Sequence, residues 1–580
     1  MGARTMYAVL EETARTLGNA PALHQPIGKG NYQTYNWIEY KRAAEEIACG
    51  LRQLGIGRGD TVALHSETRA EFYLADLGVL ANGSIAAALY TTYPFPDQAR
   101  NVRASHAKAI FMEDPRSMQA LLSAEAGGAL AGLHWILLTG ESENAITLDE
   151  LRSKGRAALK ADPQAFEKIR AEVRADDTAI LYLTSGATGE PKMGLVTHAA
   201  LTSNIDMGPK VLALTPDDCT IAFLPSAHIA QRVVIELLPI RMGVPVWFSE
   251  SLAKLPNEMK TIRPTFLLAP PRVWERVFAS INTEVKKKSA AARKMFHGAV
   301  GLGAEVSRLR EEGKPVPRTM QVLLKVADRL VFSKIRARLG GRIRLAASGA
   351  APLGKDLARF YAAIGMPLIE GYGLTEGGVV CLNPPDRPKS GSIGVKLPGV
   401  ELRLAEDGEL LVKSPTLFSG YYNDPEATDA VLRDGWLYTG DIAEFDAEGY
   451  VYITGRKKEL IVSSNGKKIY PARIEMLFKT EPIINQVVLI GDRLPYVTAL
   501  VTVNGAEVAD SAEVEVKKAV ARVNRKLAPF EQIRKFRILE RDFSIESGEL
   551  TPTMKVRRNR VLENHRALVS ELYMGKEESQ

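Results

Sequence analysis

Short apolar runs of strand length alternate with helical stretches through the first half of the chain. No other feature restricts the fold as much. Residues 36–58 carry Trp37, Tyr40, Ala44, Ile47 and Leu51 at helical spacing. "DTVALH" (60–65) then reads as a buried strand, 67–82 as a helix and "GSIAAALY" (83–90) as another apolar run. The theme returns in "TAILYLT" (178–184), "HAALTSNI" (198–205), "CTIAFLP" (219–225) and "VPVWFSE" (244–250). This alternation implies an α/β architecture.

The pattern then changes. Residues 281–340 are long, charged and helical in period, and a second α/β stretch covers 343–382. From about 399 the segments shorten, and glycine turns between alternating runs imply β-hairpins. Beyond Arg456 a strand "EMLFKTEPIINQVVLIG", a helix "AEVEVKKAVARVNRKLA" and a strand "RKFRILE" describe a small α+β domain. A chain of 580 residues is too long for one core, so several domains are expected.

Composition mainly excludes. A net charge of +7 is mild for this length; it suits anionic small molecules, and no basic arm marks a nucleic-acid binder. The runs Lys286–Lys288 and Arg557–Arg560 are short and read as solvated helix faces. Cys49, Cys219 and Cys381 lie far apart, which argues against disulfides and zinc and for a reducing compartment. The N-terminal stretch lacks a secretory signal, and Met6 breaks the myristoylation pattern. No apolar run is long enough to span a bilayer. A cytoplasmic protein with at most peripheral membrane contact is expected.

Five motifs carry chemistry. "TSGATGEPK" (184–192) supplies hydroxyls on Thr184, Ser185 and Thr188, bendable backbone at Gly186 and Gly189, and a cation on Lys192. Placed between a strand and a helix, it would cradle a phosphate. In "EGYGLTE" (370–376) the ring of Tyr372 can lie on a flat base, while Thr375 and Glu376 can reach a phosphate and a magnesium ion. In "GWLYTGD" (435–441) Asp441 can accept both hydroxyls of a ribose. "GRKKE" (455–459) with "LIVSSNGKKIYPARIE" stands where two domains meet, and "LTPTMK" (550–555) ends in a lysine. Singly these are a polar turn, a solvated acid, a hairpin turn, a charged linker and a solvated lysine.

In this order, with "SGAAPL" (348–353), the series resembles the AMP-forming adenylating superfamily of acyl- and aryl-CoA synthetases, luciferase and peptide-synthetase adenylation domains. The resemblance runs from about residue 30 to 565. "LPSAHIAQR" (224–232), "APPRVWERV" (269–277), the helical insertion and "LIGDRLPYVTALV" (489–501) are similar to the long-chain fatty acyl-CoA synthetase branch. The resemblance implies a large N-terminal domain (1–454) of two α/β subdomains plus a distorted β-barrel. A hinge (455–459) pivoting at Lys458 and a small mobile α+β C-terminal domain (460–580) would follow.

It also implies roles. Loop 184–192 would hold the β- and γ-phosphates. Gly349, Ala350 and Ala351 would line the adenine, with Tyr372 stacked on it. Thr375 would touch the α-phosphate, Glu376 hold magnesium, and Asp441 and Arg456 bind the ribose. Lys555 would bridge carboxylate and α-phosphate. After rotation, Gly466 would stand near the pantetheine of coenzyme A. His228 is a candidate for gating the acyl tunnel, with a packed structural histidine as the competing reading. Fatty acid, ATP and coenzyme A are the expected partners, with magnesium as cofactor.

The loop departs from the superfamily pattern at Ala187, where a hydroxyl residue is usual, and at Met193, where glycine is. A lost hydroxyl would cost ~1–2 kcal/mol of phosphate binding. Three rival readings remain at this point. One is an aryl-CoA ligase or a fatty acyl-AMP ligase of the same superfamily. The second is a P-loop NTPase, opposed by the missing GxxxxGK[ST]. The third is a non-catalytic acyl- or nucleotide-binding descendant, opposed by the intact Lys192, Glu376, Asp441, Arg456 and Lys555.

Overall fold

Local chemistry sets the element boundaries in the computed structural model, which describes residues 4–125, 128, 130, 132–184, 192–504, 510–551 and 554–574. The helix Trp37–Gln53 starts on a capping box. The Asn36 side chain accepts from the Glu39 N–H at 2.8 Å, and the Glu39 carboxylate accepts from the Asn36 N–H at 2.9 Å. Its periodic residues Trp37, Tyr40, Ala44, Ile47 and Leu51 are all buried. The helix stops at Gln53 rather than 58, because Gly55 at positive φ turns the chain toward the strand Thr61–His65.

Two sheets dominate the large domain. The first has eight strands, in spatial order Gly420–Tyr421, Lys192–Thr197, Thr178–Thr184, Ile85–Ala88, Thr61–His65, Ala109–Met112, His134–Leu137 and Ile146–Thr147. From Thr178–Thr184 onward its pairings are parallel, and its central strands are buried. The second sheet orders Phe266–Ala269, Leu345–Ser348, Leu368–Leu374, Gly378–Leu382 and Val395–Lys396. Its first three strands are parallel and the rest antiparallel. Thr220–Ala222, Val246–Phe248, Pro21–Gly28 and Asn31–Asn36 make a four-stranded sheet beside them. The expected helical insertion is present as Pro271–Lys286, Ala290–Glu311, Arg318–Ala327, a π-helical stretch Asp328–Phe332 and Ser333–Ala337.

A curled antiparallel sheet stands where the barrel was expected. Trp436–Phe445 pairs with Glu409–Lys413, Leu432–Arg433 and Val451–Arg456, with register shifts at Glu409/Leu411 and Ile442/Ala443. Such bulges increase the local twist. The C-terminal region has its own core, including Ile474, Phe478, Leu489, Ala499 and Val516. It is built on the strands Ile484–Ile490, Val497–Val503 and Ile533–Ile538 and the helix Asp510–Asn524.

Two further expectations are corrected. Segment 475–491 is not one strand: Pro471–Leu477 is helical, with Pro at its first turn, and the strand begins only at Ile484. The polar loop after Thr184 does not lead into a helix. It joins two antiparallel strands, Thr178–Thr184 and Lys192–Thr197, paired from Thr178↔Thr197 to Thr184↔Lys192. The helix His198–Val211 starts at the far end of that hairpin, capped by Thr197. Its free N–H groups therefore do not face the loop.

Candidate active site

A sharp hairpin presents the "EGYGLTE" residues. The strand Leu368–Leu374 turns back at Thr375–Gly377 into Gly378–Leu382, closed by Gly377 N–H donating to Leu374 O at 3.0 Å. Gly373 is required here. A Cβ would stand 2.5 Å from Gly378 O and 2.9 Å from Val379 Cα, so the two strands meet too closely for any side chain. Thr375 and Glu376 occupy the tip. Asn204, on the helix His198–Val211, fixes the returning strand by pairing with Val379 O (2.8 Å) and Val379 N–H (3.0 Å).

Sheet register supplies the next pair. Asp441 lies directly opposite Arg456 across two antiparallel strands, and Arg456 Nε donates to Asp441 Oδ1 at 2.9 Å. Tyr372 donates its hydroxyl to Asp441 Oδ2 at 2.6 Å. Asp441 thus links the strand Leu368–Leu374, through Tyr372, to the last strand of the large domain. Burial, then the Asp441 charge, holds the Tyr372 phenol well above its ordinary value, so it stays a donor. The same carboxylate raises the Arg456 guanidinium.

Lys192 and Glu376 converge on a residue that sequence reasoning missed. Tyr421 donates its hydroxyl to Glu376 Oε1 at 2.6 Å, and the Lys192 ammonium lies 4.9 Å from the centre of its ring. Tyr421 is placed by the strand Gly420–Tyr421, which pairs with Gly194 and Leu195 just after the loop. Met193 belongs to the same hairpin, and its carbonyl accepts from Tyr422 N–H at 2.7 Å. No local pattern marks Tyr421, because its partners lie far away in sequence. Ser185, Gly186, Ala187, Thr188 and Gly189 lie outside the described residues, as does the side chain of Thr184.

Lys555 enters the cleft from the C-terminal region. Its side chain is exposed there, yet the surrounding protein lowers its ammonium pKa, chiefly by desolvation and next by the like charge of Arg456. Asp441, Glu376 and Glu459 act in the opposite sense. His228 faces the same space. Burial and then the Lys555 charge push its imidazole down to about 3, so it is neutral at physiological pH. Its Nδ1 accepts from Ala230 N–H at 3.1 Å, which leaves the proton on Nε2.

Beside this charged cluster opens an apolar cavity of about 940 Å³, counting the solvent-filled mouth. His228, Gly349, Ala350 and Tyr372 line it on the polar side, and Ala350 takes a positive φ of 69° there. Its walls continue between the helix His198–Val211 and a π-helical stretch Gln231–Leu237, through Val211, Val233, Val234, Leu238 and Phe266. A fully buried Arg232–Asp76 ion pair fixes the π-helical wall from behind. Ala351 is exposed and is not among the lining residues.

The remaining expected residues lie apart. Lys458 is exposed in a short turn, Lys457–Glu459, that follows the last strand of the curled sheet. Gly466 sits at an exposed hairpin tip at positive φ, with open space where a Cβ would stand. Among the described residues no group of three or more His, Cys, Asp or Glu side chains could hold a metal by itself.

The chain is 35% identical over 578 residues to the long-chain-fatty-acid–CoA ligase FadD15 of Mycobacterium tuberculosis, covering 95% of this chain and 94% of that protein. It is 27% identical to the rat long-chain-fatty-acid–CoA ligase ACSBG2, covering 98% and 93%. The crystal structure of the anthranilate CoA ligase AuaEII with anthranoyl-AMP shares the fold, with a TM-score of 0.77 at 19% identity, covering 98% and 99%. Residues 10–422 match the AMP-binding enzyme family, and residues 458–577 match the AMP-binding enzyme C-terminal domain. With both parts matched in this order, the chain belongs to the family of AMP-binding enzymes.

Proposed function

We propose that the protein is an AMP-forming fatty acyl-CoA synthetase acting on long-chain acids. The observation that carries this reading is the apolar cavity opening beside a charged cleft where Lys555 and Arg456 meet Asp441 and Glu376. The cavity would bury a hydrocarbon chain, and the cleft its carboxylate and the nucleotide phosphates. The ligase relatives that match along more than nine-tenths of their length support it.

The chemistry has two steps. A carboxylate oxygen attacks the α-phosphorus of ATP, the bond to the bridging oxygen breaks, and pyrophosphate leaves. The thiol sulfur of coenzyme A then attacks the acyl carbon, the carbon–oxygen bond to AMP breaks, and the thiol proton passes to solvent or phosphate. Two anions must meet in the first step, so fixed cations lower its barrier. The Arg456 charge disfavours the Lys555 ammonium, and a bound carboxylate and phosphate would offset that repulsion. Tyr372, Gly349 and Ala350 would face the base, Asp441 and Arg456 the ribose, and Thr375 the α-phosphate. Lys192 and the loop before it would hold the outer phosphates.

Magnesium fits this site as an ion held mainly by phosphate oxygens, with the Glu376 carboxylate, oriented by Tyr421, as its protein ligand. When bound it would neutralise phosphate charge. The neutral His228 ring at the cavity mouth would border the acyl carboxylate without acting as an acid or base. For the second step the C-terminal domain would pivot at Lys458, withdrawing Lys555 and bringing Gly466 toward the pantetheine channel. The protein would work in the cytoplasm, meeting membranes only peripherally.

Pyrophosphate release from a panel of carboxylic acids, with and without coenzyme A, tests the reading. Long-chain acids should be preferred, and the thioester should form only with coenzyme A. In Lys555→Ala, acyl-AMP formation should drop on the order of 100-fold or more, while thioester formation from supplied acyl-AMP falls much less. Release with aryl acids alone, or full adenylation by Lys555→Ala, would refute it.

A further inference from the structure

The helical insertion carries an apolar face that folding does not use. On the helix Arg318–Ala327 and the π-helical stretch after it, Leu324 is half-buried and Ala327 and Val331 are buried against the domain. A second set points away from it. Val322 is 61% exposed, Leu323 56%, Val326 50% and Leu330 46%. Their spacing puts them on one side of the helical run, next to the packed side. A helix needs one apolar stripe to dock on its own domain, and this one has two.

Charge identifies what the second stripe fits. Arg318, Lys325, Arg329 and Lys334 are exposed around it, and among the described residues no acidic side chain pairs with them. The nearest acid in sequence, Asp328, is taken by Arg336 at 2.7 Å. The 2.8 Å ion pair of Arg338 with Glu284 ties the end of this run to the end of the helix Pro271–Lys286. The exposed Lys286, Lys287 and Lys288 follow there, so the basic rim extends past the helix itself. Apolar side chains within a one-sided basic rim are the makeup of a helix lying in a bilayer interface. Among the described residues no helix is long and apolar enough to cross a membrane, so the contact would be a surface one.

We infer that Val322, Leu323, Val326 and Leu330, rimmed by Arg318, Lys325, Arg329 and Lys334, dock this protein on anionic lipid bilayers. The inference deepens the proposed function and rests on it for its purpose, since a long-chain acid dissolves in the bilayer that the enzyme would then sit on. The binding surface itself stands on exposure and charge.

Flotation of the full-length protein, without ATP or fatty acid, tests it. The probes are phosphatidylcholine vesicles with and without phosphatidylglycerol. The protein should float with the anionic vesicles, poorly with neutral ones, and less as salt is raised. Two variants should each bind about tenfold more weakly or worse: Val322→Ser/Leu323→Ser/Val326→Ser/Leu330→Ser, and Lys325→Glu/Arg329→Glu. Both should keep wild-type rates on a medium-chain acid supplied from solution. Three results would overturn the assignment. The protein could stay unbound with both vesicles, the variants could float like wild type, or the wild type could sediment as a dimer that the four-serine variant dissolves. Flotation without any fatty-acid activation would instead refute the functional reading and leave the surface standing. Activation without flotation would do the reverse.

Discussion

Tyr421 ties the loop side of the cleft to the Glu376 carboxylate through one hydroxyl. Tyr421→Phe keeps the ring under Lys192 and removes only the 2.6 Å hydrogen bond. A hydrogen bond to a charged group contributes about 1.5–3 kcal/mol. The apparent KM for Mg·ATP should therefore rise roughly tenfold or more, with the melting temperature little changed; steady-state titration of ATP checks it. A second residue-scale expectation concerns acid. His198 is fully buried and its imidazole is pushed down to about 4 by desolvation; His24 is likewise pushed to about 4. The unfolded chain takes up these protons near pH 6.5 and the folded chain does not. Their contribution is thus intact above pH 6.5 and is lost as pH falls from there toward 4, roughly 3 kcal/mol for His198 alone. Thermal melts between pH 7 and 5 should slope downward, and less steeply in His198→Asn.

At the scale of elements, the apolar cavity depends on how closely two helices approach. Gly208 and Leu238 both line it, and a Cβ on Gly208 would overlap Leu238 Cδ1. Gly208→Ala should push Leu238 into the cavity and move the preferred acid to shorter chains. Leu238→Ala should relax it toward longer ones. kcat/KM across a homologous series of acids reads both, and an unchanged profile in both variants would remove this pair from the specificity wall. The strand–helix alternation, the helical insertion and the glycine-spaced hairpins were legible in the sequence because each is a local pattern of apolar period and turn chemistry. The hairpin that carries the loop was not. "KMGLVT" is too short and mixed to announce a strand, and its partner Thr178–Thr184 supplies the pairing. The helix Pro471–Leu477 was hidden in the same way, since its short apolar set fits either period. Single site residues were legible where a motif holds them. Tyr421 and Asn204 were not, because their roles arise from pairing across 45 and 175 residues.

At the scale of the whole molecule, polar contacts hold the C-terminal domain in the orientation that brings Lys555 to the cleft. Lys479 pairs with Glu275 at 3.2 Å, Lys526 with Asp356 at 2.9 Å, and Arg272 Nη1 donates to Asn485 O at 3.3 Å. Partly exposed pairs of this kind are worth about 0–1 kcal/mol each. Contacts this weak would let the domain leave this posture easily if the proposed pivot at Lys458 operates. Glu275→Lys with Asp356→Lys should weaken adenylation several-fold and spare thioester formation from supplied acyl-AMP. Equal loss in both half-reactions would show that these contacts do not select a posture. The Asp441–Arg456 pair has a further consequence. Arg456 ends the last strand of the large domain, and the chain crosses to the small domain within the next few residues. A ribose bound at Asp441, as proposed, would make Arg456 renegotiate its partner at the doorway between the domains. The enzyme would then need no separate messenger to report that its nucleotide has arrived, for the proposed sensor and the proposed pivot would share one stretch of backbone.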